Sequence, residues 1–160
     1  MIMKTIPLHP KFGVIVDGIN LDDVTNNNLY PEIRDLFEKH SSILFKDQEF
    51  SEETHIKFAS LFGPLENREA MAKNSYVKFE LPKVSNEDAD GTVFSENDIR
   101  TLELKANMLW HTDSTFLPIP ALANIIAAKT VPSSGGQTEL ASTRIALNEL
   151  PKNILEKIKN

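Results

Sequence analysis

Between positions 121 and 131 the chain reads Ala-Leu-Ala-Asn-Ile-Ile-Ala-Ala-Lys-Thr-Val, and the next five residues are Pro-Ser-Ser-Gly-Gly. A nearly continuous apolar run of this length could belong to a strand or to a buried helix. The turn cluster decides between them. Gly takes positive φ without steric cost and Pro presets its own φ, so the five residues stop the run sharply. The run is therefore expected to be a strand, apolar on both faces. A second strand over 137–141 is expected to pair back against it as a hairpin.

Upstream, residues 12–16 read as a short β-type run ended by Asp17-Gly18. The polar cluster Asn26 to Asn28 is placed to cap a helix, and Leu29, Ile33, Leu36, Phe37 and His40 follow at helical spacing. Residues 42–45 read as a buried strand, closed by Lys46-Asp47-Gln48. Ser51 is an N-cap residue, with Glu52 and Glu53 favouring the positive first turn of the next helix. His55, Phe58, Ala59 and Phe62 share one face of it, and Gly63-Pro64 is expected to end it, Gly as the C-terminal cap. The stretch 66–109 is mixed and polar, with short strands expected around Val77 and Val84 and a long, partly mobile loop over 88–102. Ser142 or Thr143 caps a helix running to Leu150, and Pro151 can open another in its first turn. Early helices, later strands and the Gly-rich hairpin indicate an α+β or mainly β fold.

There is no cysteine, so disulfides, thiolate ligands and cysteine nucleophiles are excluded together. Any metal must be held by His, Asp or Glu, and the histidines are His9, His40, His55 and His111. His40 and His55 lie on apolar helix faces and are expected to pack there. His9 lies in a Pro-flanked loop and is expected to be exposed. The net charge of −6, with acids and bases scattered, gives no basic face for nucleic acid. No apolar run reaches the roughly 20 residues that span a bilayer, and the N-terminus shows no secretory pattern, so a cytoplasmic protein is expected.

The chemistry-bearing piece is Trp110-His111-Thr112-Asp113. In a strand, residues two apart share a face, so His111 and Asp113 can aim an imidazole nitrogen and a carboxylate oxygen at one point. That pair is two thirds of a 2-His-1-carboxylate triad, which leaves open positions suited to non-haem iron(II). A His-x-Asp triplet alone is also compatible with two solvated loop residues. Likewise Pro132 to Thr138 is compatible with a plain hairpin turn, or with a Thr138 hydroxyl placed to donate to an anion. A zinc hydrolase or lyase and a purely structural module are further alternatives. The first would need more His or Glu ligands near His111, and the second leaves the joint pattern unexplained.

The segment WHTDSTFLPIPALANIIAAKTVPSSGGQTELAS resembles the core of the taurine dioxygenase / 2,4-dichlorophenoxyacetate dioxygenase (TauD/TfdA) family, whose pattern is W-H-[ST]-D-x-[ST]-F, an apolar strand, then P-x-[ST]-G-G-x-T. Softer upstream matches include Ile43 to Gln48 and Phe58-Ala59-x-x-Phe62-Gly63-Pro64-Leu65. The resemblance covers nearly the whole chain and lies closer to the aryloxyacetate-type members than to the taurine-type ones. It implies an incomplete double-stranded β-helix (jelly roll) with flanking helices. It also implies Fe(2+), with 2-oxoglutarate and O2 as co-substrates. The implied reaction hydroxylates a small organic acid, aryloxyalkanoate- or sulfonate-like, and decarboxylates 2-oxoglutarate to succinate. By matched position His111 and Asp113 are the metal ligands, Thr138 contacts the distal carboxylate of 2-oxoglutarate, and Asn107 lines the substrate pocket. Trp110 and Phe116 are expected to be packing residues. No nucleic-acid or membrane partner is implied, and a homo-oligomer is possible.

The family pattern continues with a third iron ligand, a histidine on a later strand, and beyond it one or more arginines that hold the 2-oxoglutarate carboxylates. No histidine follows Asp113, and the one later arginine, Arg144, falls on an expected helix. Residues 1–160 are therefore expected to be the N-terminal part of a single dioxygenase domain whose C-terminal part is missing. The alternative is a truncated, catalytically inactive fragment or a weak metal-binding remnant.

Overall fold

The computed structural model describes residues 3–49, 51–67 and 78–159. They fall into two compact units, one formed by Met1–Leu61 with Ile126–Asn160 and the other by Phe62–Ile125.

The first unit is built on a three-stranded sheet. Strand β1 (Lys4–Pro7) runs antiparallel to β2 (Val14–Asp17), with Thr5 opposite Val16. Gly13, at φ 80, sits where the turn between them re-enters the sheet, and its carbonyl accepts from the Leu8 N–H at 3.0 Å. A side chain there would be held at positive φ and would crowd Leu8 at 3.3 Å, which favours glycine. β2 is parallel to β3 (Ile43–Phe45), with Val14 opposite Ile43. Parallel neighbours need a crossover. Here it comprises a 3-10 turn (Leu21–Asp23) and helix α1 (Tyr30–His40).

β2 alternates as its sequence dictates. Val14 and Val16 are buried, while Asp17 is exposed. Ile19, Leu21, Val24, Ile33 and Phe58 are also buried. Phe58 meets Phe45 edge to face, with centroids 5.5 Å apart. It is carried by α2 (Glu52–Ser60), where the Ser51 hydroxyl accepts from the Thr54 N–H at 3.0 Å. The Thr54 hydroxyl donates to the Asp22 carboxylate, and Lys57 Nζ donates to the Asp22 carbonyl at 2.7 Å, tying α2 to the 3-10 turn. Gln48 bridges the same region, donating to the Ile19 carbonyl and accepting from the Leu21 N–H. Helices α4 (Thr143–Glu149) and α5 (Lys152–Ile158) follow, with Ser142 and Pro151 as their N-caps. Arg144, on α4, donates to the Glu38 carbonyl in the last turn of α1 at 2.9 Å. A cation there satisfies a carbonyl that the helix end leaves over.

In the second unit, Glu87 and Val93 form a bridge around Gly91, at φ 83. Helix α3 (Ile99–Ala106) follows, with Asp98 capping it through the Arg100 N–H. The Arg100 guanidinium lies 3.7 Å from the centre of the Phe94 ring and donates to Asp98 and Asp88. Bonding to Arg100 holds the Asp98 carboxyl down at about 2.

Several expectations change. β1 lies outside the expected strands. No side-chain cap bond is found at Leu29, the N-cap of α1, although Asn28 Oδ1 accepts from the Thr25 and Leu29 N–H groups. α2 closes at Leu61 in right-handed conformation, and Gly63, at φ 141, lies beyond its cap. β3 is only partly buried, with Leu44 exposed. The stretch 88–102 contains Val93, which bridges to Glu87, and the first half of α3 rather than one long loop. Val84 is exposed and outside any strand, and Val77 lies outside the described residues. The largest correction concerns 121–131 and 137–141, which form no strand. A strand needs a ladder, and no backbone–backbone hydrogen bond joins these segments among the described residues. Ile126 and Val131, 78% and 74% exposed, lie uncovered instead. No helix among the described residues is long and apolar enough to cross a membrane.

Candidate metal centre

α3 ends at Asn107, whose N–H donates to the Glu103 carbonyl, and the chain then passes through Trp110 into the His-x-Asp triplet. These residues are not in a strand, so the expected backbone is absent. The convergence it was meant to produce is present. His111 Nε2 and Asp113 Oδ1 lie 3.5 Å apart, with both side chains about half exposed.

That separation says what the pair can do. A charge-assisted N–H···O bond would close to about 2.8 Å, so no proton bridges the two atoms tightly. Two ligands at right angles on one divalent ion, each about 2.1 Å from it, sit about 3 Å apart, and wider angles lengthen this. The gap fits two neighbouring corners of a coordination shell.

The ring's orientation is fixed from behind. His111 Nδ1 lies 2.6 Å from the Leu109 carbonyl oxygen. A carbonyl can only accept, so Nδ1 carries a proton, and Nε2, on the side of Asp113, is the nitrogen left to bind a metal. Metal-bound imidazoles are commonly held through the other nitrogen in this way. Asp113 is held too, since Asn124 Nδ2 donates to its Oδ2 at 2.5 Å. The backbone then turns at Ser114, whose φ is 60. Ser114 is buried and donates to the Glu66 carboxylate. The chemistry of the donor set, one imidazole nitrogen and one carboxylate oxygen, suits iron(II).

The other candidate residues are placed as follows. Asn107 is exposed at the end of α3, four residues before His111. Thr138 belongs to the first unit, where it lines a cavity of about 320 Å³ with Leu8, His9, Phe12 and Leu140. His9 is exposed and accepts from the Lys11 N–H, while His55 is buried on α2. Trp110 and Phe116 are each 69% exposed, which corrects the expectation that they pack into a core. No third His, Asp or Glu joins the pair among the described residues. Sequence reasoning missed Asn124, Ser114 and Glu66. The signal for Asn124 was available: it is a hydrogen-bonding amide between apolar neighbours in a mostly apolar run.

The model of the family described as taurine catabolism dioxygenase TauD, TfdA family matches residues 4–160. The chain belongs to the TauD/TfdA family. One curated relative is the (S)-phenoxypropionate/alpha-ketoglutarate-dioxygenase of Sphingobium herbicidovorans, 34% identical over 154 residues, covering 95% of this chain and 49% of the relative. Another is the alpha-ketoglutarate-dependent 2,4-dichlorophenoxyacetate dioxygenase of Cupriavidus pinatubonensis, 34% identical over 151 residues, covering 92% of this chain and 53% of that protein. Among solved structures, AAD-2 in complex with Mn(II) and N-oxalylglycine matches with a TM-score of 0.82 at 28% identity, over all of this chain and 54% of AAD-2. This TauD/TfdA chain thus spans about half the length of the curated relatives it matches.

Proposed function

We propose that the protein carrying this TauD/TfdA chain is an iron(II)- and 2-oxoglutarate-dependent dioxygenase that hydroxylates a small organic acid. Aryloxyalkanoates are the favoured substrate class, because relatives at 34% identity are named for phenoxypropionate and 2,4-dichlorophenoxyacetate. A sulfonate or sulfate ester is the second choice, supported by a 28%-identical relative named as a sulfate ester dioxygenase. The observation that carries the reading is the 3.5 Å approach of His111 Nε2 to Asp113 Oδ1. Support for the metal and co-substrate comes from AAD-2, whose structure holds Mn(II) and N-oxalylglycine.

Iron(II), when bound, supplies the redox chemistry by which O2 places one oxygen atom in the substrate C–H bond and the other in the succinate left after 2-oxoglutarate loses CO2. The chain's own residues do the rest. His111, as the neutral Nδ1–H tautomer, presents Nε2, and Asp113 presents Oδ1 with the negative charge that favours a divalent cation. The Thr138 hydroxyl donates to the distal carboxylate of 2-oxoglutarate. Asn107, beside the triplet in sequence, lines the substrate pocket. The third ligand and the carboxylate-binding arginine lie outside these 160 residues, in the part of the relatives' length that the chain does not span. The same reading makes the whole domain a jelly roll in which the segments 121–131 and 137–141 find strand partners.

A second reading is a weak metal-binding remnant without turnover. It draws on the finding that two ligands, not three, converge among the described residues. The experiment that separates the two is succinate release from 2-oxoglutarate by the protein carrying this chain, supplied with iron(II), ascorbate and a phenoxyalkanoate. Substrate-dependent succinate that disappears in His111→Ala supports the dioxygenase. Succinate formation that survives His111→Ala, or none in the parent protein, contradicts it.

A further inference from the structure

We propose that Asn124 is a positioning residue for the metal centre, holding Asp113 as a ligand through one oxygen only. The inference rests on the reading of His111 and Asp113 as metal ligands and adds a role that the motif does not contain. An aspartate carboxylate has two equivalent oxygens and can bind a metal through one or both. In this structure the two are made different. Oδ1 faces His111 Nε2 at 3.5 Å, whereas Oδ2 accepts from Asn124 Nδ2 at 2.5 Å. A carboxylate only accepts, so the amide must present its NH2 to it. The same bond stops the carboxylate turning about its Cβ–Cγ axis and keeps Oδ2 engaged.

The consequence is a coordination count. If Asp113 bound a metal through Oδ1 alone, it would take up one position on the ion and leave more of them for a chelating 2-oxo acid. If Oδ2 were free to coordinate as well, one of those positions would be lost. The donor is neutral, so it restrains Asp113 without removing the charge that attracts the cation. The position also explains why an amide stands in the apolar run at 121–131, where it fills no core. Asn124 is exposed, and its bonding partner lies 11 residues earlier, just before the turn at Ser114.

The test uses Co(II) as the probe, in the protein carrying this chain, with Asn124→Ala and the near-isosteric Asn124→Leu. Co(II) reports its coordination through its ligand-field absorption, independently of turnover. Both variants are expected to bind Co(II) about 10- to 100-fold more weakly, as losses of such outer partners generally do, with a changed visible spectrum. Unfolding of the metal-free protein should stay unchanged, since the residue is exposed. Co(II) affinity within twofold of the parent and an identical spectrum would overturn the proposal. If the parent's own Co(II) binding does not depend on His111 and Asp113, the ligand reading fails first and this inference falls with it.

Discussion

A non-glycine residue at φ 60 is uncommon, and Ser114 holds that conformation immediately after a proposed metal ligand. Its hydroxyl is bonded to Glu66, while the neighbouring Asp113 carboxylate is bonded by Asn124. Left-handed backbone costs an L-residue about 1–2 kcal/mol, more for a β-branched one. Ser114→Val is therefore expected to lower stability by about 2 kcal/mol or more, since it adds branching and removes the hydroxyl. Ser114→Gly relaxes the backbone while losing the bond, and should be nearly neutral. Chemical denaturation of both variants checks this, and equal losses in the two would show that φ at Ser114 is not what matters. At this scale the residue types that approach each other, His111 and Asp113, were legible, while the non-strand backbone that brings them to 3.5 Å was not. Nor were their supports. The partner of Asp113 is 11 residues away and the partner of Ser114 is 48 away, and neither separation belongs to a regular period. The bond to His111 comes from the backbone of Leu109, and a carbonyl is the same in every residue.

Helices were readable where a cap residue and an apolar period agreed. Ser51 and Ser142 cap α2 and α4, and Ser51→Ala should cost about 1 kcal/mol. Thermal unfolding of that variant is the check, with an unchanged midpoint as the contrary result. α3 escaped notice because its Ile99 and Leu102 are 66% and 50% exposed and no core-facing stripe marks it, although Asp98 stands at its N-cap. Its N-cap is a charged group paired with Arg100. Asp98 is held from its usual 3.8 down to about 2 by Arg100, so its ionised form is favoured in the folded state. The stabilisation is present in full above pH 3.8 and is lost as the pH falls through about 2. Protection of the α3 amides, relative to their unstructured exchange rates at each pH, should hold above pH 3.8 and fall below it, and Asp98→Asn should abolish that dependence. A helix whose exchange ignores both the acid and the substitution would contradict the assignment. The apolar run at 121–131 is the opposite case, since its composition reads as a strand while pairing depends on neighbours that composition cannot show. β1 was overlooked for a related reason. Lys4 to Pro7 are all exposed, so no alternation of burial marks them, and the strand is made by its register with β2.

For the molecule as a whole, family membership was legible from the joint Trp-His-Thr-Asp and Gly-Gly-Gln-Thr pattern, because each element is tied to a chemical task. What covers the apolar surface was not legible. Trp110, Phe116 and Ile119 are exposed in the second unit, and Ile126 and Val131 in the first. Apolar exposure of this kind marks an interface or an aggregation hazard. The isolated 160-residue chain is therefore expected to self-associate or to be poorly soluble. Light scattering that showed a stable monomer, unfolding cooperatively, would contradict this. The central claim, that His111 and Asp113 hold iron(II) for reaction with 2-oxoglutarate, is most directly tested by anaerobic calorimetric titration. Iron(II) is titrated into the protein carrying this chain, with and without 2-oxoglutarate, in the parent, His111→Ala and Asp113→Ala. The expected result is saturable binding that tightens with 2-oxoglutarate in the parent and is lost in both variants, and binding that persists unchanged in either variant would contradict the claim.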